Sequence, residues 1–297
     1  MGKIILESCP LCGQQHLHHF LDCKDYTASG ETFALWKCDD CGFVFTQGFP
    51  DESEIGRYYE APSYISHSDT RKGVVNKLYH VARSFMLSRK TGLVRRLSGL
   101  KHGRLLDYGA GTGYFAHAMS RKGWEVQAVE KSAQARQFAL EHFKLRLSDV
   151  PALDTFAPGS FDVITLWHVM EHVQELDVLW QKLNSLLSDH GILVVAVPNC
   201  ASLDALHYKN FWAAYDVPRH LWHFTPGTML KWGAKYGFIL ERHYRMPLDA
   251  FYISMLSEKY RKSPMGVLRG LNRGFACLFG SLGRKSWSSS VIYVFRK

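Results

Sequence analysis

Residues 216–224, DVPRHLWHF, concentrate side chains that can move protons or hold charge. An acid, an arginine and two histidines surround Pro218, whose ring fixes the backbone φ angle. A histidine can act as a general base near neutral pH, and an arginine can hold a phosphate or carboxylate through two parallel hydrogen bonds. The stretch therefore predicts either a substrate-binding loop, with His220 as base and Arg219 as anion clamp, or a polar turn whose groups satisfy one another.

A second set of proton-transfer candidates lies in WHVMEH, residues 167–172. His168 and His172 are four positions apart and would share one face of a helix beginning there. Glu171 stands beside His172. The alternative is that His168 and Glu171 only shape the floor of a pocket.

Four of the seven cysteines form two C-x-x-C pairs, in CPLCG (9–13) and CDDCG (38–42). Each pair places two thiolates on one tight turn, and two such turns supply the four soft ligands that tetrahedral Zn²⁺ prefers. We expect a closed structural site rather than free thiols or a redox pair, in a zinc ribbon at residues 1–47 that its metal stabilises. Its ligands would be Cys9, Cys12, Cys38 and Cys41.

A glycine-rich turn marks residues 104–132, RLLDYGAGTGYFAHAMSRKGWEVQAVEKS. The pattern of strand, glycine turn, helix and second strand ending in Glu130 is typical of a βαβ nucleotide-binding unit. The dinucleotide fingerprint requires a third glycine where this chain has Tyr114, which argues against a dehydrogenase. The turn instead reads G-x-G-x-G, formed by Gly109, Gly111 and Gly113.

The segment LLDYGAGTG resembles the first motif of the class I S-adenosylmethionine-dependent methyltransferases, L-D-x-G-x-G-x-G. The resemblance implies S-adenosylmethionine as cofactor, packed against the glycine turn. It also implies that Asp107 supports the amino-acid end of the cofactor and that Glu130 holds the ribose. Asp149, in LRLSDV, would face the adenine amine.

The other apolar segments complete a fold prediction: an α/β protein with a Rossmann-like, seven-stranded, mostly parallel sheet whose last strand is antiparallel. HGILVVAVPN (190–199) is almost entirely apolar, as parallel strands buried on both faces are. The methyltransferase domain would span residues 101–297, with a lid insertion at 199–235 and a second insertion at 246–289. Residues 48–100 would connect it to the ribbon through a polar loop and one or two helices.

Two narrower resemblances concern the histidines. A zinc ribbon joined to such a domain is similar to the sugar C-methyltransferases that act on nucleotide-linked deoxysugars, and this implies that His220 is the base. Arg219 stands where that family has a Glu, and His223 where it has a Tyr. Residues 168–172 resemble a Glu-x-x-Glu-His motif of quinone-biosynthesis methyltransferases that can hold a divalent metal, with His168 in place of the first Glu.

The formal net charge of +9 would attract anions such as nucleic acid, phosphorylated substrates or acidic lipid. Basic residues are mixed with apolar runs at 246–289, which could lie on an anionic membrane, pack on its own domain or contact a second subunit. No secretory signal and no run of about 20 apolar residues is recognisable, so we expect a cytoplasmic location.

The sequence thus predicts a methyltransferase for a small, anionic or nucleotide-linked acceptor. An RNA methyltransferase, a quinone or phenol O-methyltransferase and a non-catalytic cofactor-binding protein are the alternatives. The oligomeric state is left open.

Overall fold

The computed structural model describes residues 2–60 and 74–297. The N-terminal region forms five short strands: β1 (Lys3–Ile4), β2 (Leu17–Lys24), β3 (Thr32–Cys38), β4 (Val44–Thr46) and β5 (Phe49–Pro50). Strands β2, β3 and β4 pair in antiparallel order, and β1 pairs with β5. This is the ribbon that the cysteine pairs predicted.

The connecting region contains one long helix, α1 (Val74–Ser98), in agreement with the helical spacing of its apolar residues. Most of the polar loop expected before it, residues 61–73, lies outside the described residues.

The central sheet has six strands within the described residues, and its order is β11-β12-β9-β8-β6-β7. The strands are β6 (Arg104–Tyr108), β7 (Glu125–Val129), β8 (Phe161–Trp167), β9 (Leu187–Pro198), β11 (Ile239–Arg245) and β12 (Ser290–Arg296). β6, β7, β8 and β9 are parallel, whereas β12 runs antiparallel to both of its neighbours. The predicted Rossmann-like sheet with an antiparallel last strand is confirmed.

The predicted count of seven strands differs from the six observed. Where the seventh would lie, Ser148 makes a single parallel bridge with Val129. The chain leaves the sheet immediately afterwards, because Asp149 accepts a hydrogen bond from the N–H of Val150 and caps a 3₁₀ turn over Val150–Thr155. Pro151 lies in that turn and has no N–H with which to continue a strand.

Helices cover the sheet and the lid: α2 (Tyr114–Ser120), α3 (Ala133–Phe143), α4 (Leu176–Leu186), α5 (Leu203–Tyr208), α6 (Pro226–Lys235), α7 (Asp249–Tyr260) and α8 (Gly266–Gly280). Within the part of the chain that the structure describes, no helix is both long and apolar enough to span a bilayer.

The ribbon is joined to residues 199–235, the segment predicted to be a lid, through a shared sheet. A two-residue strand of the lid, β10 (Trp222–His223), pairs with β4 and completes the four-stranded order β10-β4-β3-β2. Phe43 of the ribbon packs against the rings of Trp222, Phe224 and Trp232. Burial of these large apolar rings stabilises the junction. The boundary at residue 47 stays a prediction, since the two regions share one core.

Candidate active site

The glycine turn leaves the carboxyl end of β6 and begins α2. Gly109, Gly111 and Gly113 all have positive φ angles, between 55° and 80°. A Cβ atom at Gly109 would lie 2.4 Å from a methyl carbon of Val169, so the position has no room for a side chain. A Cβ atom at Gly111 would meet nothing within 4 Å, so the backbone there borders open space that a ligand can approach.

Two carboxylates flank this turn at the ends of neighbouring segments. Glu130 follows β7, and its two oxygens accept hydrogen bonds from the N–H groups of Gly111, at 2.7 Å, and Ser132, at 2.8 Å. Asp149 is half exposed and lies 3.3 Å from the guanidinium of Arg136. The resemblance to methyltransferases implies that Glu130 contacts the ribose and Asp149 the adenine, and these binding roles remain predictions.

Asp107 is buried at the centre of the sheet, on β6. Its carboxylate accepts a hydrogen bond of 2.7 Å from the hydroxyl of Thr165. Burial raises the pKa of Asp107 to about 7, although the Thr165 hydroxyl and the ammonium group of Lys90 oppose the shift. The ionised carboxylate therefore becomes more favourable when a further cation, such as the ammonium group of the cofactor, lies beside it.

Glu130→Ala should weaken S-adenosylmethionine binding by about 1–3 kcal/mol, because hydrogen bonds between the ribose hydroxyls and a charged group are lost. Titration calorimetry of the purified chain measures this, with Glu141→Ala, an exposed acid on α3, as the matched control. Unchanged affinity in the Glu130 variant would remove this residue from the cofactor site.

Affinity for the cofactor should rise by at most about tenfold per pH unit up to about pH 7, and above that pH it should level off. Below its pKa of about 7 Asp107 is protonated, and pairing with the cofactor's ammonium group requires release of that proton. Asp107→Asn should bind more weakly and lose this pH dependence, whereas Asp154→Asn should retain it. A wild-type affinity that stays constant between about pH 5.5 and 7 would contradict the assignment.

His168 follows β8 and has a positive φ of 59°. Its Nε2 atom lies 3.1 Å from an oxygen of Asp249, and its Nδ1 atom lies 3.4 Å from an oxygen of Glu171. Burial opposes its charge, but the interactions with Asp249 and Glu171 outweigh burial and raise the pKa of His168 to about 9. A histidine already protonated at neutral pH cannot accept a proton, so the structure argues against His168 as the base.

His172 and His220 bring their rings together edge to face, with centroids 4.5 Å apart. The Nδ1 atom of His220 lies 2.8 Å from the carbonyl oxygen of Ala214, and that of His172 lies 3.0 Å from the carbonyl oxygen of Arg219. A carbonyl oxygen only accepts, so Nδ1 carries the proton in each ring and Nε2 is the acceptor. Burial and the neighbouring His220 lower the pKa of His172 to about 4.

Glu171 lies beside the two rings and is fully buried. Within the described part of the chain, its carboxylate makes no hydrogen bond of good geometry. Burial alone would raise the pKa of Glu171, but the interaction with the charged His168 is stronger. The net result is a pKa below the usual value, so Glu171 is ionised. Ligand atoms of Glu171, His172 and His220 lie within 4.8 Å of one another, so this set could share a divalent cation or a proton.

Arg219, predicted to clamp an anion, has other partners in this structure. Its side chain is fully buried, and its guanidinium forms ion pairs with Asp25 of the ribbon at 3.0 Å and with Asp216 at 2.6 Å. A further N–H donates to the carbonyl oxygen of Tyr58. Arg219 therefore ties the ribbon to the lid.

His223 is also enclosed. Its Nε2 atom lies 3.0 Å from the hydroxyl of Thr46, and burial lowers its pKa well below the usual value. Arg219 and His223 thus follow the polar-turn alternative for residues 216–224, whereas His220 lies beside Glu171 and His172.

The sequence did not indicate Asp25 or Asp249 as functional residues. Asp249 begins α7 and meets His168, which is 81 positions earlier in the chain, so no local spacing could reveal the pair. Tyr59 also borders the site, and its hydroxyl lies 3.1 Å from Nδ1 of His172.

The four predicted zinc ligands are brought together in the ribbon. The sulfurs of Cys9 and Cys41 are 3.4 Å apart, those of Cys12 and Cys38 are 3.6 Å apart, and all four lie within 4.8 Å of one another. A tetrahedral zinc with Zn–S bonds of about 2.3 Å requires sulfurs about 3.8 Å apart. None of the described cysteines forms a disulfide. The donor set therefore fits Zn²⁺.

The fold, the glycine turn and the acid after the second parallel strand define a class I S-adenosylmethionine-dependent methyltransferase. Residues 82–243, more than half of the chain, match the family model described as a methyltransferase domain. The chain belongs to this methyltransferase family, and S-adenosylmethionine is its cofactor.

The curated relatives are similar over a shorter region. The ubiquinone biosynthesis O-methyltransferase of Xanthomonas campestris pv. campestris (strain B100) is 33% identical over 103 residues, which is 32% of this chain and 43% of that protein. The mitochondrial ubiquinone biosynthesis O-methyltransferase of Schizosaccharomyces pombe is 31% identical over 108 residues, 34% of this chain and 39% of that protein. The chain thus spans less than half the length of these relatives.

Among solved structures, a putative sarcosine dimethylglycine methyltransferase from Galdieria sulphuraria aligns with a TM-score of 0.52 and 15% identity. The alignment covers 75% of this chain and 88% of that one. At this identity the likeness shows the fold.

Proposed function

We propose that this methyltransferase methylates a hydroxyl group of a small acceptor and that Nε2 of His220 takes the hydroxyl proton. When bound, S-adenosylmethionine supplies the methyl group and the sulfur leaving group. The protein then has to orient the acceptor oxygen and remove its proton. The observation that supports this proposal is the geometry of His220. Its Nδ1 is held by the carbonyl oxygen of Ala214, which leaves Nε2 as the acceptor, and its ring lies in one cluster with Glu171 and His172.

Two carboxylates border His220. An oxygen of Asp216 lies 4.0 Å from Nε2 of His220, and Glu171 belongs to the same cluster. His168 contributes indirectly, because its charge keeps Glu171 ionised.

A hydroxyl acceptor is favoured over an anionic one because the residue expected to clamp an anion, Arg219, is already paired with two aspartates. The regional similarity to ubiquinone biosynthesis O-methyltransferases, enzymes named for methyl transfer to oxygen, points in the same direction. A nucleotide-linked sugar and RNA are the alternatives.

Transfer of label from methyl-labelled S-adenosylmethionine tests the proposal. The purified chain is incubated separately with a catechol and phenolic acid panel, with nucleotide-linked deoxysugars and with RNA, and the products are located by mass spectrometry. Label on a phenolic oxygen is the expected result. Label found only on RNA, or only on a sugar carbon, would contradict the proposal and identify RNA or the nucleotide-linked sugar as the acceptor.

A further inference from the structure

The net charge of the chain is concentrated at its C-terminal end. Residues 259–297 contain nine Lys or Arg and no Asp or Glu, which equals the formal net charge of +9 of the whole protein. Residues 1–258 therefore have no net formal charge. Six of these basic residues are exposed around α8: Lys259, Arg261, Lys262, Arg269, Arg284 and Lys285.

The same region exposes an unusual amount of apolar surface. Eight of the 17 exposed large apolar side chains among the described residues lie between Tyr252 and Leu282. On α8 itself Val267 is 67% exposed, Leu268 55%, Phe275 49% and Phe279 63%. Singly scattered apolar residues need no explanation, but a contiguous group of this kind marks an interaction surface.

These side chains form one face of α8, which we call the α8 apolar face and define as Val267, Leu268, Leu271, Phe275 and Phe279. At about 100° per residue they occupy a continuous arc of about 120° on the helix. Arg269 lies beyond one edge of that arc, and Arg273 lies on the opposite side of the helix, where it donates to the carbonyl oxygen of Leu203.

Packing of the fold uses little of this face, because the closest contacts of α8 with α7 are made by its small residues. Of the face itself, Phe275 meets the ring of Phe251 edge to face, with centroids 4.9 Å apart. A Cβ atom at Gly270 would lie 2.6 Å from the backbone of Met255, and one at Gly274 would lie 2.5 Å from the ring of Phe251. Gly270, Gly274 and Cys277 are the buried residues of α8. The helix thus presses its glycines against the protein and directs its large apolar side chains outward.

We propose that the α8 apolar face and the basic residues around it form a docking surface for an anionic lipid membrane. An amphipathic helix of this type lies in the plane of the interface, with its apolar side chains among the acyl chains and its cations at the lipid phosphates. The charge selects this occupant. A second copy of the chain would bring two basic surfaces together, and RNA has no aliphatic surface for the apolar side chains.

Sedimentation of the full chain with vesicles tests the proposal, without using activity. The vesicles contain phosphatidylcholine alone or with about 30% phosphatidylglycerol. Wild type should bind the anionic vesicles at least about tenfold more tightly, and added salt should weaken this binding. Wild type that stays in the supernatant with anionic vesicles overturns the proposal.

Two double variants separate the apolar from the charged contribution. Phe275→Gln/Phe279→Gln should lower vesicle affinity at least about tenfold, because two aromatic side chains no longer enter the bilayer. Lys262→Gln/Arg269→Gln should lower affinity about tenfold or more for anionic vesicles only. The matched controls, Val178→Gln/Ile239→Gln and Arg121→Gln/Lys122→Gln, change exposed residues elsewhere and should bind like wild type.

Three results contradict the proposal. Equal vesicle binding by the α8 variants and their controls would show that this face is not the docking surface. A dimer in sedimentation equilibrium that Phe275→Gln/Phe279→Gln dissociates, without vesicle binding, would identify a second copy as the occupant. Salt-dependent RNA binding without vesicle binding would identify nucleic acid.

Discussion

His220→Asn should lower turnover by about 10²–10⁴-fold while leaving S-adenosylmethionine affinity nearly unchanged, the range expected when a general base is removed. The asparagine amide can still donate a hydrogen bond to the carbonyl oxygen of Ala214, which Nδ1 of His220 contacts at 2.8 Å. The loop is thereby retained, and only the proton acceptor at Nε2 is lost. Steady-state kinetics with the acceptor found by label transfer, together with calorimetry for the cofactor, measure the two effects.

His223→Gln is the matched control for this substitution. A glutamine can keep a polar atom near the Thr46 hydroxyl, which Nε2 of His223 contacts at 3.0 Å, so its turnover should stay close to wild type. His172→Asn tests the neighbouring ring in the same way. If His220→Asn kept full turnover and His172→Asn lost turnover, the proton acceptor would be His172 and not His220.

His168→Gln is expected to behave differently from both. Its imidazolium lies between Asp249 and Glu171, so its removal leaves the buried carboxylate of Glu171 and the partly exposed carboxylate of Asp249 without this cation. Such a change disturbs the fold around the site as well as turnover. The contrast with His220→Asn separates a positioning residue from the proton acceptor.

The local patterns of the sequence predicted the cofactor site and the metal site. Gly109, Gly111 and Glu130 lie within one βαβ unit, and each cysteine pair lies on a single turn. Their proximity follows from short spacings that a strand or a turn brings together directly, whereas their binding roles stay predictions. This is why the Rossmann-like sheet and the four-cysteine cluster could be predicted before the structure was known.

The partners of the lid could not be predicted in this way. Arg219 is 194 positions away from Asp25, and His223 is 177 positions away from Thr46. A titratable residue in a loop has the same sequence signature whether it meets a substrate or a buried partner. The difference depends on how the ribbon packs on the lid, and this packing places Arg219 and His223 in the interior while His220 stays beside Glu171.

Replacement of Cys38 by Ser should remove the zinc and lower turnover by at least about 10²-fold. Metal analysis of the wild-type chain should give about one zinc per chain, bound by the four sulfurs that lie within 4.8 Å of one another. Structural zinc in small modules contributes about 10–16 kcal/mol of apparent binding free energy, as much as the whole stability of a typical domain. The ribbon of Cys38→Ser should therefore unfold, and thermal unfolding should shift to a lower temperature.

Turnover should fall with the metal because the ribbon holds the loop that contains His220. The hydroxyl of Thr46, on β4, donates to the carbonyl oxygen of His220 at 2.7 Å. The backbone N–H of Thr46 donates to the carbonyl oxygen of Leu221 at 2.8 Å. Loss of β4 releases β10 and this loop. A displacement of about 1 Å at a catalytic group can cost 10²-fold in rate, so a loss of at least that size is expected.

Cys23→Ala, in the same small sheet but outside the cluster, should keep both its zinc and its turnover. A zinc-free chain that kept the wild-type melting temperature and turnover would show that the ribbon holds the loop without a metal.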